Sequence, residues 1–248
     1  MDLISRIGVQ ARPEVEMLLP NSFPQHAFWP FQTSNPASSL CPAAAHIPVR
    51  LPHPVDLHII RHGETVANVE KLVTGARDVP LTERGRIQAK QAGIKLSPHY
   101  DFAFSSKLKR SKETLRLALE AGRVRVTKCE EDPRLNERGL GELELRPSRS
   151  LPEYAAGNLA YSPPGGESYL AVTEKVLSFL TDLFELVQRT GARRILISSH
   201  MGPMRIMEGI LKEETNPVTV LNRSFRNGDV IKYDWSRFAW PKFQMGKE

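Results

Sequence analysis

The chain has 248 residues, 40% of them hydrophobic and 25% charged, enough for one large core plus an appendage. Its formal net charge of +6 suits an anionic ligand, yet no Lys/Arg block with interleaved aromatics marks a nucleic-acid surface, and no apolar run is long enough to span a bilayer. The two cysteines, Cys41 and Cys129, lack metal or redox spacing and predict a reducing, cytoplasmic setting.

Residues 1–55 differ from the rest. They hold about half of the chain's 19 prolines, with Ser, Asn and Ala between them and no sustained period, which predicts a disordered Pro-rich leader. A short helix over Met1–Leu19 is compatible with the pattern, but Asp2, Glu14 and Glu16 interrupt any signal-like apolar core. A targeting peptide, a dispensable leader, and an arm docking through Phe23, Phe28, Trp29 and Phe31 all remain open. A folded domain is expected over 56–236, with a tail over 237–248.

The first strand is expected at Leu57–Ile60, a β-branched apolar run that leads into Arg61-His62-Gly63-Glu64-Thr65. Gly63 allows a sharp turn and close approach to a ligand. Asn68 to Pro80 reads as a loop, and Thr82 as the N-cap of a helix reaching about Leu96. Phe102–Phe104 is a short strand ending at Ser105-Ser106, with Ser106 as the cap of a helix over about Lys107–Glu120. Val124–Lys128 alternates as a strand, Asp132–Arg149 reads as a loop, and Pro163-Pro164-Gly165-Gly166 is a break. From Ser168, Val172, Val176, Phe179, Leu180, Leu183, Phe184 and Val187 recur at helical steps until Gly191. Arg194–Ser198 is a buried strand, Pro203–Leu211 a helix, and Val218–Leu221 and Asp229–Tyr233 closing strands. Strands alternating with helices imply an α/β fold with a largely parallel sheet covered on both faces. Ligands of such sheets bind at the carboxyl ends of strands, where His62, Ser106 and His200 fall.

An imidazole beside a guanidinium at a strand end suits an anion, because Arg is always charged and presents a planar fork of donors. Leu196–Gly202 repeats that design with His200 and Gly202 after an apolar run. Arg61-His62-Gly63-Glu64-Thr65 with Asn68 resembles the signature of the histidine phosphatase superfamily, the phosphoglycerate-mutase-like proteins. The resemblance continues through Thr74-Gly75, Asp78, Leu81-Thr82 and Gly85. Ser105-Ser106, Leu108, Arg110-Ser111 and Thr114 carry it further, then Leu135-Asn136-Glu137-Arg138, Gly166-Glu167-Ser168, and His200 with Gly202. These motifs span about residues 56 to 234 in the family's order.

The resemblance implies a three-layer α/β/α sandwich and a metal-independent phosphoryl transfer. His62 would be the nucleophile, attacking as the neutral ring while its other nitrogen donates to a nearby backbone carbonyl. Arg61, Arg110 and His200 would surround the phosphoryl group, and Glu137 would be the general acid and base, with Glu142 and Glu144 competing for that role. Asn68, Thr74 and Gly75 are candidate substrate contacts, and Arg138 could hold a substrate carboxylate. His58 reads as structural, and His46 and His53 have no ligand-like partners. No cofactor is implied and no cluster has metal spacing. The partner implied is a small phosphorylated substrate, without nucleic acid or membrane; a homodimer is compatible with the sequence.

Asn136-Glu137-Arg138 resembles the mutase form of the acid loop. The stretch Leu140–Pro164 lacks the longer basic insert of the mutases, and Gly166-Glu167-Ser168-Tyr169 with Met204-Arg205 resembles the phosphatases. The resemblance therefore implies a phosphomonoester phosphatase working through a phosphohistidine, with a phosphoglycerate-type mutase as the alternative. A second alternative is a non-catalytic relative that binds phosphorylated ligands or proteins. Met201 stands where a small residue is common, which predicts a bulkier, more apolar pocket wall.

Overall fold

The structure is a computed structural model that describes residues 51–147 and 157–235. The expectations for residues 1–50, the sequence 148–156 and the tail, with Cys41 and His46, lie outside the described residues.

Five strands form one mixed sheet in the order β3-β2-β4-β1-β5. They are β1 (Asp56–Arg61), β2 (His99–Ser105), β3 (Arg125–Glu131), β4 (Arg194–Ser199) and β5 (Val230–Asp234). The first four run parallel, and β5 closes the edge antiparallel to β1. Alternation along the strands feeds two apolar layers. Leu57, Ile59, Phe104, Ile195 and Ile197 face one cluster, whereas Ile60, Ala103 and Leu196 face another.

The first cluster is completed by α4 (Tyr169–Thr190), α5 (Met201–Leu211) and α6 (Pro217–Asn222); the second by α2 (Glu83–Ile94) and α3 (Lys109–Ala121). This is the expected three-layer arrangement. All seven apolar residues predicted for α4 are buried, Ser168 caps it by accepting from Ala171 N, and Gly191 ends it in the left-handed conformation at φ 70°. Apolar packing also begins before the expected boundary, since Leu51 and Val55 are buried in the larger cluster.

Three local expectations are corrected. Val218–Leu221 lies in α6 rather than a strand: its β-branched run is overridden by Asn216, which caps the helix, and Pro217, which opens it. Asn68 lies in a one-turn helix, α1 (Val66–Val69), and its side chain closes a capping box with Thr65. Ser106 is not the N-cap of α3, which starts at Lys109 after Leu108; its hydroxyl accepts from Leu108 N at 3.3 Å and also meets His200 Nε2. The loop after β3 contains two 3₁₀ turns, Pro133–Leu135 and Gly141–Leu143.

His58 is structural, as its sequence position implies. It is buried under α2 and α3, hydrogen-bonded to the Tyr100 hydroxyl. Burial, aided by Lys232, lowers its pKa to about 4.

Candidate active site

Register brings the site together. Arg61 pairs with Ser199 and Ser105 with Ser198, so the chain leaves three neighbouring strands at His62, Ser106 and His200. The first loop sits tight on α2. A Cβ at Gly63 would come 2.3 Å from the Gly85 carbonyl oxygen, and one at Gly85 would come 2.0 Å from that of Glu64. That contact needs two glycines, which accounts for both motif positions. Thr114 ties the same loop to α3, accepting from Gly63 N at 2.9 Å and donating to the Arg110 carbonyl at 2.7 Å. Ser111 donates to the Ser198 carbonyl at 2.8 Å, and Asp78 accepts from Lys109 N at the start of α3.

Above these strand ends lies a cavity of about 260 Å³. Its lining includes Arg61, His62, Asn68, Arg110, Glu137 and Arg205. Thr74 and Gly75 border it, and Leu72, Val73, Leu140, Tyr169 and Met201 give it an apolar side. Met201 therefore occupies the wall its sequence position implies.

His62 is 4% exposed, and its Nδ1 lies 2.8 Å from the Gly63 carbonyl oxygen. A carbonyl only accepts, so Nδ1 carries the proton and Nε2 keeps its lone pair. Burial first, then Arg61 and Arg110, hold the ring well below the usual histidine pKa. His62 is thus a neutral imidazole of fixed tautomer facing two guanidinium groups.

Arg61 donates from Nη1 to the Phe225 carbonyl at 2.5 Å, while its Nε is buried with no protein partner among the described residues. Burial lowers its pKa to about 10, which leaves it charged at neutral pH. A buried, charged N–H without an acceptor is costly unless a ligand supplies one. Arg110 is 1% exposed. Its Nε donates to His200 Nδ1 at 3.2 Å, Nη1 to the Arg77 carbonyl at 2.6 Å and Nη2 to the Gly75 carbonyl at 2.9 Å. Both carbonyls belong to the loop that carries Thr74 and Gly75, so Arg110 shapes that wall as well as charging it.

His200 packs beside His62. It is fully buried and does not border the cavity. Because Nδ1 accepts from Arg110, the proton of the neutral ring sits on Nε2, which reaches Ser106 Oγ at 2.6 Å. Burial and Arg110 keep its pKa well below the usual value. With both nitrogens engaged, His200 holds Arg110, and its ring centroid lies 5.0 Å from that of His62.

Glu137 is the carboxylate of the cavity. Its Oε1 accepts from Arg138 N at 2.9 Å and from Gly202 N, at the start of α5, at 3.0 Å. The competitors are elsewhere: Glu144 ion-pairs with Arg77 at 3.1 Å and accepts from Ala76 N at 2.8 Å, and Glu142 is exposed; neither borders the cavity. Arg138 also borders the cavity. It is 2% exposed, donates to the carbonyls of Glu167 (2.7 Å) and Tyr161 (3.1 Å), and lies over the Tyr169 ring at 4.5 Å. These bonds make it a brace for the acid loop on the cavity wall.

Asn68 spends its carbonyl Oδ1 on Thr65 N, Thr65 Oγ1 and Asn227 Nδ2, so Nδ2 is the polar end left for a ligand. The sequence motifs did not assign Arg205 to the site. It follows His200 by just over one turn of α5, borders the cavity, and donates to the Arg223 carbonyl and the Tyr169 hydroxyl. Among the described residues no group of three or more His, Cys, Asp or Glu is placed to hold a metal, and no helix is long and apolar enough to cross a membrane.

A parallel sheet whose strand ends present a neutral histidine, buried arginines and one carboxylate around a small cavity defines a phosphoryl-transfer site of the phosphoglycerate-mutase-like class. The family model for the histidine phosphatase superfamily (branch 1) matches residues 57–241, and the chain belongs to that superfamily. It is 33% identical over 189 residues to a 2,3-bisphosphoglycerate-dependent phosphoglycerate mutase of Cytophaga hutchinsonii, covering 73% of this chain and 87% of that protein. Among solved structures, an alpha-ribazole phosphatase from Shigella flexneri aligns with a TM-score of 0.59 and 30% identity, over 72% of this chain and 89% of that one. A mycobacterial glucosyl-3-phosphoglycerate phosphatase complexed with VO3 shares the fold, with a TM-score of 0.63, 23% identity, and coverage of 75% and 96%. The superfamily's enzymes among these relatives include both phosphatases and mutases.

Proposed function

We propose that the protein hydrolyses small phosphomonoesters through a phosphohistidine on His62. The observation that carries this reading is the fixed tautomer of His62, neutral and with its Nε2 lone pair available, facing Arg61 and Arg110. Nε2 attacks phosphorus in line, and the bond from phosphorus to the leaving oxygen breaks. Glu137 delivers a proton to that oxygen, so the alcohol departs neutral. Water then attacks phosphorus, Glu137 takes its proton, and the N–P bond breaks to release phosphate and restore His62. Oε1 of Glu137 is held by two backbone N–H groups, so Oε2 is the oxygen that carries the proton. The guanidinium groups of Arg61 and Arg110 stabilise the equatorial oxygens without reorganising, because the protein already holds both.

Water as acceptor rather than a second substrate hydroxyl is supported by the short stretch Leu140–Pro164, which lacks the longer basic insert of the mutases. The name of the Cytophaga hutchinsonii relative favours mutase chemistry as the second reading. Hydrolysis of p-nitrophenyl phosphate and of phosphoglycerates, with chelator present, separates the two. The proposal expects phosphate release by wild type and none by His62→Ala. Phosphoglycerate isomerisation faster than hydrolysis would establish the mutase instead.

A further inference from the structure

We propose that Asn227 is a positioning residue that fixes the nucleophile's loop and the Asn68 amide relative to each other; this rests on the phosphohistidine reading. The segment before β5 straps the back of the signature loop. The Phe225 carbonyl accepts from Arg61 Nη1, the Asp229 carbonyl accepts from Arg61 N at 3.0 Å, and Gly228 N donates to the carbonyls of Arg61 (3.1 Å) and His62 (3.3 Å). On the strap's side those bonds use backbone atoms alone, which residues of many kinds could supply. The Asn227 side chain is different. Its Nδ2 lies 3.1 Å from the His62 carbonyl, 3.4 Å from the Gly63 carbonyl and 3.2 Å from Asn68 Oδ1.

Two of these acceptors matter for chemistry. The Gly63 carbonyl is the one that holds His62 Nδ1 and so sets the tautomer. Asn68 Oδ1, when occupied, leaves Nδ2 of that amide as the end that can meet a ligand oxygen. One NH₂ group therefore ties the nucleophile's carbonyls to a neutral donor on α1. A carboxylate at position 227 could not do this, having only acceptors to set against three acceptors.

The test is a double-mutant cycle on p-nitrophenyl phosphate hydrolysis with Asn227→Ala, Asn68→Ala and the pair, plus Asn227→Asp as a near-isosteric variant. The expected result is a kcat about tenfold lower for Asn227→Ala with KM within about twofold, and a larger loss for Asn227→Asp. In the Asn68→Ala background, removing Asn227 should cost less than it does in wild type, because the part of its effect that passes through Asn68 is already gone. Wild-type kcat in Asn227→Ala, or losses that multiply fully, would overturn the proposal. The side-chain amide cross-peaks of Asn68 in a ¹⁵N–¹H spectrum, assigned by their loss in Asn68→Ala, give a readout independent of turnover. They should shift in Asn227→Ala and Asn227→Asp; unchanged peaks would refute the contact. If wild type itself fails to hydrolyse the probe, the phosphohistidine reading fails, while the amide peaks still decide whether Asn227 holds Asn68.

Discussion

Replacing Gly202 by alanine tests whether Glu137 protonates the leaving oxygen. A Cβ at position 202 would stand 2.4 Å from Glu137 Oε1, and ordinary contact begins near 3.4 Å, so the carboxylate must retreat by about 1 Å. Misplacing a catalytic group by that distance costs about 100-fold, or roughly 2.7 kcal/mol of barrier. The fold should survive, because the clash is with the far end of a side chain and alanine is the better helix former in the first turn of α5. The loss should depend on the leaving group. An alkyl alkoxide needs a proton to depart, whereas p-nitrophenolate leaves without one. Thus kcat/KM for β-glycerophosphate should fall about 100-fold in Gly202→Ala, and for p-nitrophenyl phosphate by less than about tenfold. Steady-state kinetics on both esters, with thermal melting as the check on folding, measures this. Equal losses on the two esters, or none on either from a folded variant, would refute the assignment of Glu137.

Further predictions address charge, pH and the wall. Arg110→Lys keeps a cation but loses the fork that reaches His200, Arg77 and Gly75; kcat should fall by about 10² to 10³, and a drop under tenfold would contradict the role. His58 has a folded pKa of about 4 against an ordinary value of 6.5, so the unfolded chain binds the proton first as pH falls. Stability is full above pH 6.5 and is lost between there and pH 4, by on the order of 3 kcal/mol from this group. His58→Phe should flatten that part of a urea-midpoint-versus-pH curve; an unchanged slope would show that His58 does not carry it. Met201→Gly should widen the apolar wall and lower KM for bulky aryl phosphates relative to p-nitrophenyl phosphate, and an unchanged ratio of the two would remove Met201 from specificity.

What the sequence made legible was what local pattern encodes. The apolar strand runs, the period of α4 and the Ser168 and Thr82 caps depend on neighbours within a turn or two, and all appear. Asn216-Pro217 was an equally local helix start, but the Val-Thr-Val run beside it drew the reading to a strand. Arg61, His62 and Arg110 border the cavity because the order of the motifs follows the strand ends. The misses were non-local. The partners of His200 come from Ser106 and Arg110, about 90 residues away, and they decide that its ring braces Arg110. Asn227 meets His62 across 165 positions, a contact that periodicity cannot carry. The bonds of Arg138 to the carbonyls of Glu167 and Tyr161 likewise join segments far apart in the chain.

The most direct test of the central claim is to trap the intermediate. Wild-type protein mixed with ³²P-labelled aryl phosphate, quenched in alkali and digested, should carry an acid-labile, alkali-stable label on the peptide containing His62. His62→Ala should carry none. Label on any other residue, or rapid turnover with no labelled protein at any time point, would contradict the account.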